Sequence, residues 1–219
     1  MIIPESINLI IIFIALIVFF IFKKTKNYLS WQGGALVFLV LVLFLLKLGS
    51  DVDGASLGLR FDNLLSTLLP IVIFTLLGAL ILITMRFKEK RFKVAKWFLS
   101  LISVYLVFGI LQQLFFQSIF AHSLQVLLKN PTLAVIFSSV FYSSFHWGWD
   151  AKGIRFGFLT LFGGVVWSIL FLTSPNVFLL GASHAVLASL YYFMVYERNI
   201  LEERLIFWHK KNFWQRVFG

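Results

Sequence analysis

Seven long apolar runs, separated by short polar or charged segments, constrain the fold of this chain more than any other feature. A helix needs about 20 apolar residues to cross the hydrocarbon of a bilayer. With 60% hydrophobic and only 13% charged residues, the 219-residue chain falls outside the range of soluble domains. We therefore predict an all-α integral membrane protein, a transmembrane helical bundle of about seven spans. The predicted spans are Ile7–Phe22, Gly33–Leu48, Leu64–Met85, Ser103–Leu128, Thr132–Trp149, Phe156–Leu172 and Val177–Tyr196.

The net charge of +10 has its source between these runs. Lys and Arg concentrate in alternate connections, which predicts an N-terminus outside and a C-terminus in the cytoplasm by the positive-inside rule. This placement favours a membrane surface as the partner of the basic residues and argues against nucleic acid. Lys47 lies close enough to the end of the second span for its amine to snorkel to the interface.

Three parts are predicted along the chain: N-terminal spans with a basic segment (1–95), a helical core (96–196) and a basic amphipathic tail (197–219). Residues Arg86–Ile102 interleave six basic residues with aromatic ones, which favours an amphipathic helix at the interface. The fourth span then starts near Ser103, and this start places Gln113 at a depth where it approaches His146.

Polar residues on three spans mark a candidate internal site. Gln113, Gln117 and Gln125 share one face of the fourth span, with Gln112 one position round. On the fifth span a polar stripe is predicted, and on the seventh His184 lies mid-span with Ala188 one turn below. The stripe comprises Ser139, Tyr142, Ser143, His146 and Asp150. The alternative is a structural role, because glutamine amides commonly form hydrogen bonds between membrane helices and a histidine can form a single structural hydrogen bond.

The sixth span carries a ridge of small residues, Thr160, Gly164 and Ser168, that lets a neighbouring helix approach closely. No metal and no cofactor are expected. A zinc site needs three or four protein ligands, whereas the chain has no cysteine and His122 lies too far along its helix to join His146 and His184.

Three segments resemble the motifs of the CAAX prenyl protease type 2 and bacteriocin-processing family (CPBP, also called Abi). That family carries E-E-x-x-x-R, then F-x-x-x-H, then H-x-x-x-N (or Asp) on successive helices. The corresponding segments here are Gln112-Gln113-Leu-Phe-Phe-Gln117, Tyr142-Ser-Ser-Phe-His146 and His184-Ala-Val-Leu-Ala188. Order and spacing agree over about residues 96–196.

The resemblance implies a metal-independent intramembrane protease in which a glutamate activates water and histidines and an asparagine stabilise the oxyanion. His146 and His184 are present here, but Gln112 and Gln113 replace both glutamates, Gln117 replaces the arginine and Ala188 replaces the asparagine. An amide cannot take a proton at ordinary pH. Together the changes remove two negative charges and the positive charge that balanced them, which leaves a neutral site.

We therefore expect a CPBP-like protein with degenerate catalytic motifs that binds a membrane-embedded peptide or partner protein without cutting it. One alternative is an active endopeptidase of CAAX-type or leader peptides, with Asp150 as a replacement carboxylate and His146 or His184 as base. Another is a small membrane transporter, although no inverted repeat is visible. The resemblance implies a bacterial inner membrane as the location.

Overall fold

The computed structural model describes residues 5–24, 40–47, 49, 52–87 and 97–196, and within these ranges the protein is helical, without strands. Two segments, π1 and π2, are π-helices. The elements are α1 (Glu5–Lys24), α2 (40–47), α3 (Leu64–Phe87), α4 (Trp97–Gln113), π1 (Leu114–Ala121), α5 (His122–Leu128), α6 (Pro131–His146), α7 (Ala151–Thr173), α8 (Val177–Tyr191) and π2 (Tyr192–Tyr196).

Four helical stretches of the described residues are long and apolar enough to cross a membrane, which agrees with an integral membrane protein. They are Leu64–Met85, Ser100–Leu128, Gly153–Thr173 and Val177–Val195. Glu5–Phe20 is a shorter apolar helix. Helix α6 has 16 residues and is about 24 Å long at the usual rise, less than the hydrocarbon thickness. The count of seven spans and the orientation stay predictions.

The predicted interfacial helix over Arg86–Ile102 is not one separate element. Its first two residues belong to α3, and residues 97–102 are the first turns of α4, while residues 88–96 lie outside the described ranges, as does the predicted amphipathic tail 197–219. Leu101 in this first part of α4 is completely buried, so these turns pack as the start of the fourth helix. From Trp97 the helical path then continues through π1 to Leu128.

Glycines let the core helices approach backbone to backbone. A Cβ built on Gly109 of α4 would lie 2.5 Å from the carbonyl oxygen of Gly181 on α8, so a side chain at this crossing is excluded. On α7, a Cβ at Gly164 would lie 3.2 Å from the Cα of Ser139 on α6. The small-residue ridge on the sixth span therefore brings α6 and α7 together, as the sequence predicts.

The connection between α2 and α3 packs onto the core. The Ser118 hydroxyl of π1 donates to the Leu57 carbonyl (2.7 Å), and the Val177 N–H donates to the Gly58 carbonyl (3.1 Å). Gly58 has φ of +78°, a conformation that favours glycine. In the same connection the Ser56 N–H donates to Asp53 and holds the pKa of that carboxyl below its usual value.

The sequence predicts that Lys47 snorkels to the interface, and the structure contradicts this prediction. Its side chain is completely buried, and the amine donates to Nδ1 of His122 at 2.7 Å. A partner on a neighbouring helix thus satisfies the buried amine, and the contact joins α2 to α5.

Candidate functional site

The glutamines of the fourth helix contact two different helices. Gln113 is the last residue of α4, and its Nε2 lies 3.2 Å from Nδ1 of His184 on α8. Gln117 lies within π1, and its Oε1 accepts a hydrogen bond from the Ser168 hydroxyl on α7 at 2.9 Å. The prediction of one continuous glutamine face assumed an α-helix. The segment is instead π-helical at π1, whose i→i+5 hydrogen bonds change the angular step between these residues, and the single face stays a prediction.

His184 is the centre of the cluster. Its ring is 3% exposed, and its Nδ1 also lies 3.4 Å from the Tyr142 hydroxyl of α6. The Trp167 ring of α7 stacks on the imidazole, with centroids 5.0 Å apart and planes 14° apart. The Trp167 Nε1–H donates to the Ser183 hydroxyl at 3.2 Å, which orients the indole. The described contacts of His184 are therefore all with uncharged side chains.

Trp167 is a residue that the sequence analysis missed. It directly precedes Ser168 of the small-residue ridge, and an indole beside such a ridge was the signal that could have identified it. A buried Trp usually needs a partner for its N–H, and here Ser183 lies next to His184 in the chain.

His146 is linked to the cluster by Tyr142, which contacts it directly. His146 is the last residue of α6, and the centroids of its ring and of the Tyr142 ring are 4.8 Å apart. The Phe156 ring of α7 stacks on the His146 ring, with centroids 5.1 Å apart. Tyr142 thus contacts both histidines, so the sequence was right to place His146, His184 and Gln113 in one region of the bundle.

Asp150 does not extend the polar stripe of the fifth helix. Helix α6 ends at His146, Trp147 is in an extended conformation, and Asp150 is the N-cap of α7. Its Oδ1 accepts from the Gly153 N–H at 3.0 Å, and the side chain is exposed. The stripe fails at this residue because an Asp that caps the next helix cannot remain in the preceding one.

The remaining predicted residues lie beside the cluster. The Ser143 hydroxyl donates to the Gly157 carbonyl on α7 (2.7 Å), and the Ser139 hydroxyl donates to Val135 of its own helix. Ala188 is half-buried and packs against the cluster formed by Leu101, Tyr105 and Ala185. These contacts are structural, and the binding roles of Ser143 and Ala188 stay predictions.

Within the part of the chain that the structure describes, three amide atoms of the glutamines are buried without a hydrogen-bond partner. They are Oε1 of Gln112, Oε1 of Gln113 and Nε2 of Gln117. An unpaired buried polar atom costs about 1–3 kcal/mol. The site therefore offers acceptors and a donor to a ligand. Among the described residues, no group of three or more His, Cys, Asp or Glu side chains is arranged to hold a metal ion.

Comparison with known proteins gives one family. Residues 94–190 match the model of the family described as Type II CAAX prenyl endopeptidase Rce1-like, and this stretch contains all three motif segments. No curated protein and no solved structure matches the chain significantly. The match supports the resemblance to the CPBP family seen in the motifs, over residues 94–190 of this integral membrane protein.

Proposed function

We propose that this CAAX-protease-like membrane protein binds a membrane-embedded peptide or partner protein at the Gln113–His184 site and does not cleave it. One observation carries the proposal: the amide of Gln113 bonds the imidazole of His184 at the position where the family motif has a glutamate. A carboxylate there could take a proton from water, whereas an amide cannot.

The expected loss of rate is large. Removing a general base costs on the order of 10²–10⁴ in rate. Replacing an oxyanion-stabilising side chain costs roughly a further 10²–10³. Gln113 and Ala188 stand at these two kinds of position in the resemblance, so both losses apply to this chain.

The uncharged polar atoms of the site support binding. Gln113 and Gln117 are completely buried, and each has one amide atom without a hydrogen-bond partner among the described residues. A peptide backbone carries both N–H donors and C=O acceptors, and it could satisfy these atoms without bringing a charge into the bundle. A ligand that does so recovers the cost of leaving them unpaired.

The position of Asp150 weakens the alternative of an active endopeptidase with a rearranged site. That alternative needs a carboxylate beside a histidine. Asp150 instead is the N-cap of α7, where its Oδ1 accepts from the Gly153 N–H. A transporter remains a third hypothesis, and a bacterial inner membrane remains the location that we propose from the family resemblance.

Restoring the family residues tests the proposal. Purified protein in nanodiscs is incubated with a farnesylated CAAX peptide, and products are measured by mass spectrometry. We expect no cleavage by the unmodified chain above the background without protein. Cleavage is expected to appear in the variant that combines Gln112→Glu, Gln113→Glu, Gln117→Arg and Ala188→Asn. Cleavage by the unmodified chain that His184→Ala abolishes would overturn the proposal.

A further inference from the structure

Two basic side chains face each other between α2 and α5, outside the Gln113–His184 site. Lys47 of α2 is completely buried, and its Nζ lies 2.7 Å from Nδ1 of His122, the first residue of α5. A protonated amine has no lone pair and can only donate, so the facing imidazole nitrogen has to accept. The contact therefore requires that one of the two side chains is in its neutral form.

A second proton removes this contact. If Lys47 and His122 are both protonated, each directs a hydrogen at the other and each carries a positive charge. Two such charges at this distance repel each other strongly where little water screens them. His122 is only partly buried, and histidine is the side chain that ordinarily changes its charge between about pH 5 and pH 8. On acidification, His122 is therefore the member of the pair that takes the second proton.

The Asp53 carboxylate is the opposing charge beside this pair. It belongs to the α2–α3 connection, is exposed, and acts electrostatically on His122. The hydrogen bonds from Ser56 hold the pKa of Asp53 below its usual value, so the carboxylate stays ionised while the histidine titrates. Protonated His122 is thus repelled by α2 and attracted by the connection that follows it.

The other elements packed on α5 are α1, α6 and π1. At the start of α1, Glu5 pairs with Lys129 at 3.4 Å, and π1 contains no ionisable residue. The remaining ionisable residues of these helices lie towards their far ends: Lys23 and Lys24 on α1, Tyr142 and His146 on α6. Among the described residues, the protonation of His122 therefore depends on Lys47 and Asp53.

We infer that the Lys47–His122 pair is a proton-sensitive contact, which holds α2 on α5 while the pair carries one proton and releases α2 when it carries two. The α2–α3 connection follows α2 directly, and its Leu57 carbonyl accepts from Ser118 of π1 at 2.7 Å. Ser118 is next to Gln117 of the candidate site. Acidification thus acts on that site through α2 and π1, whether or not the site cuts its ligand.

A distance measurement between α2 and α5 tests the contact. The chain has no cysteine, so nitroxide labels can be attached at Leu45→Cys on α2 and Leu128→Cys on α5, whose side chains are 65% and 37% exposed. Pulsed electron spin resonance gives the label-to-label distance in the full chain in nanodiscs, frozen at about pH 8 and at about pH 5. We expect a narrow distribution at the higher pH and a longer, broader one at the lower pH. An identical distribution at both pH values would overturn the inference.

His122→Gln separates this contact from other effects of acid. The glutamine oxygen still accepts from Lys47 but cannot take a proton at ordinary pH. We expect the same distance at both pH values in this variant, and a change as large as in the unmodified chain would contradict the role of His122. His209→Gln, the same substitution at a histidine outside the pair, is the matched control and should keep the full response; its loss would assign the effect to the wrong histidine.

Two further variants test the charges on either side of His122. Asp53→Asn removes the attraction and should move the change in distance to lower pH, whereas a change at the same pH would contradict the role of this carboxylate. If His122→Gln does not fold, Lys47→Gln replaces it, because it keeps a donor and removes the positive charge. We expect a smaller lengthening at about pH 5 in Lys47→Gln, and an undiminished one would refute repulsion as the cause.

Discussion

At the scale of single residues, this protein depends on polar side chains that satisfy one another inside an apolar bundle. Asn176 shows this at the start of α8, the helix that carries His184. Its Oδ1 accepts from the Leu179 N–H at 3.0 Å, and its Nδ2 donates to the Arg60 carbonyl and to Asn63. One buried amide thus caps the helix and holds the α2–α3 connection.

Replacing this amide should destabilise the protein more than removing an ordinary cap does. Asn130 is the matched control, because it caps α6 through the Leu133 N–H (3.1 Å) but is exposed. We expect Asn130→Ala to cost about 0.5–2 kcal/mol. Asn176→Ala should cost roughly 1–3 kcal/mol more, since it leaves buried groups unpaired. Thermal unfolding in detergent measures both, and equal decreases in Tm would contradict this account.

The sequence predicts part of this residue-scale structure. The Pro175–Asn176 start of the last helix and the convergence of Gln113 and His184 follow from helix signals and from spacing. The bond between Lys47 and His122 could not be predicted, because it joins residues 75 positions apart on segments whose rotation the sequence does not fix. The contacts of Tyr142 with both histidines could not be predicted either, because the sequence does not fix how the helices are rotated. The role of Asp150, by contrast, could have been predicted, because an Asp directly before an apolar helix is a typical N-cap.

At the scale of helices, the site depends on how closely α4 and α8 approach each other. The two helices cross at Gly109 and Gly181, four residues before Gln113 and three before His184. Four and three residues correspond to about one helical turn. The glycine crossing therefore fixes the distance across which Gln113 and His184 form their bond.

A methyl group at this crossing should force the helices apart. Gly109→Ala would place a Cβ 2.5 Å from a backbone oxygen, which cannot move away as a side chain could. Overpacking of this kind costs about 1–3 kcal/mol. Gly54→Ala is the control, since its Cβ would lie 3.8 Å from the nearest side chain. We expect a clear decrease in Tm for Gly109→Ala and little change for Gly54→Ala; similar values for both would contradict the crossing.

The π-helix is the element that sequence reasoning could not predict. Segment π1 consists of apolar residues with Gln117 and Ser118, and nothing in that composition separates it from an α-helix. Its polar side chains bond other parts of the chain, since Ser118 donates to the α2–α3 connection and Gln117 accepts from Ser168. π-helical turns occur often at functional sites, and this one directly follows Gln113.

At the scale of the whole molecule, the helices of the region that matches the Rce1-like family model hold a site of uncharged side chains between α4, α6, α7 and α8. The order of these helices and their approximate limits follow from the apolar runs, whereas the length of α6 and the start of α4 do not. The orientation across the membrane follows from the distribution of Lys and Arg between the apolar runs and remains a prediction.

Single thiols can test the orientation, because the chain contains no cysteine. Asp62 in the α2–α3 connection has a side chain 67% exposed, and Trp149 between α6 and α7 is 92% exposed. With the N-terminus outside, a membrane-impermeant maleimide should label Asp62→Cys in intact cells and Trp149→Cys only after permeabilisation. The reverse pattern would contradict the predicted orientation.

The central claim is that the neutral site binds without cutting, and one measurement addresses it most directly. A fluorescent farnesylated CAAX peptide is titrated with the unmodified protein in nanodiscs, its anisotropy is followed, and the peptide is then recovered and weighed by mass spectrometry. We predict saturable binding, weakened by Gln113→Leu, with the peptide recovered intact. A peptide recovered in two pieces, or anisotropy that does not saturate, would contradict the account.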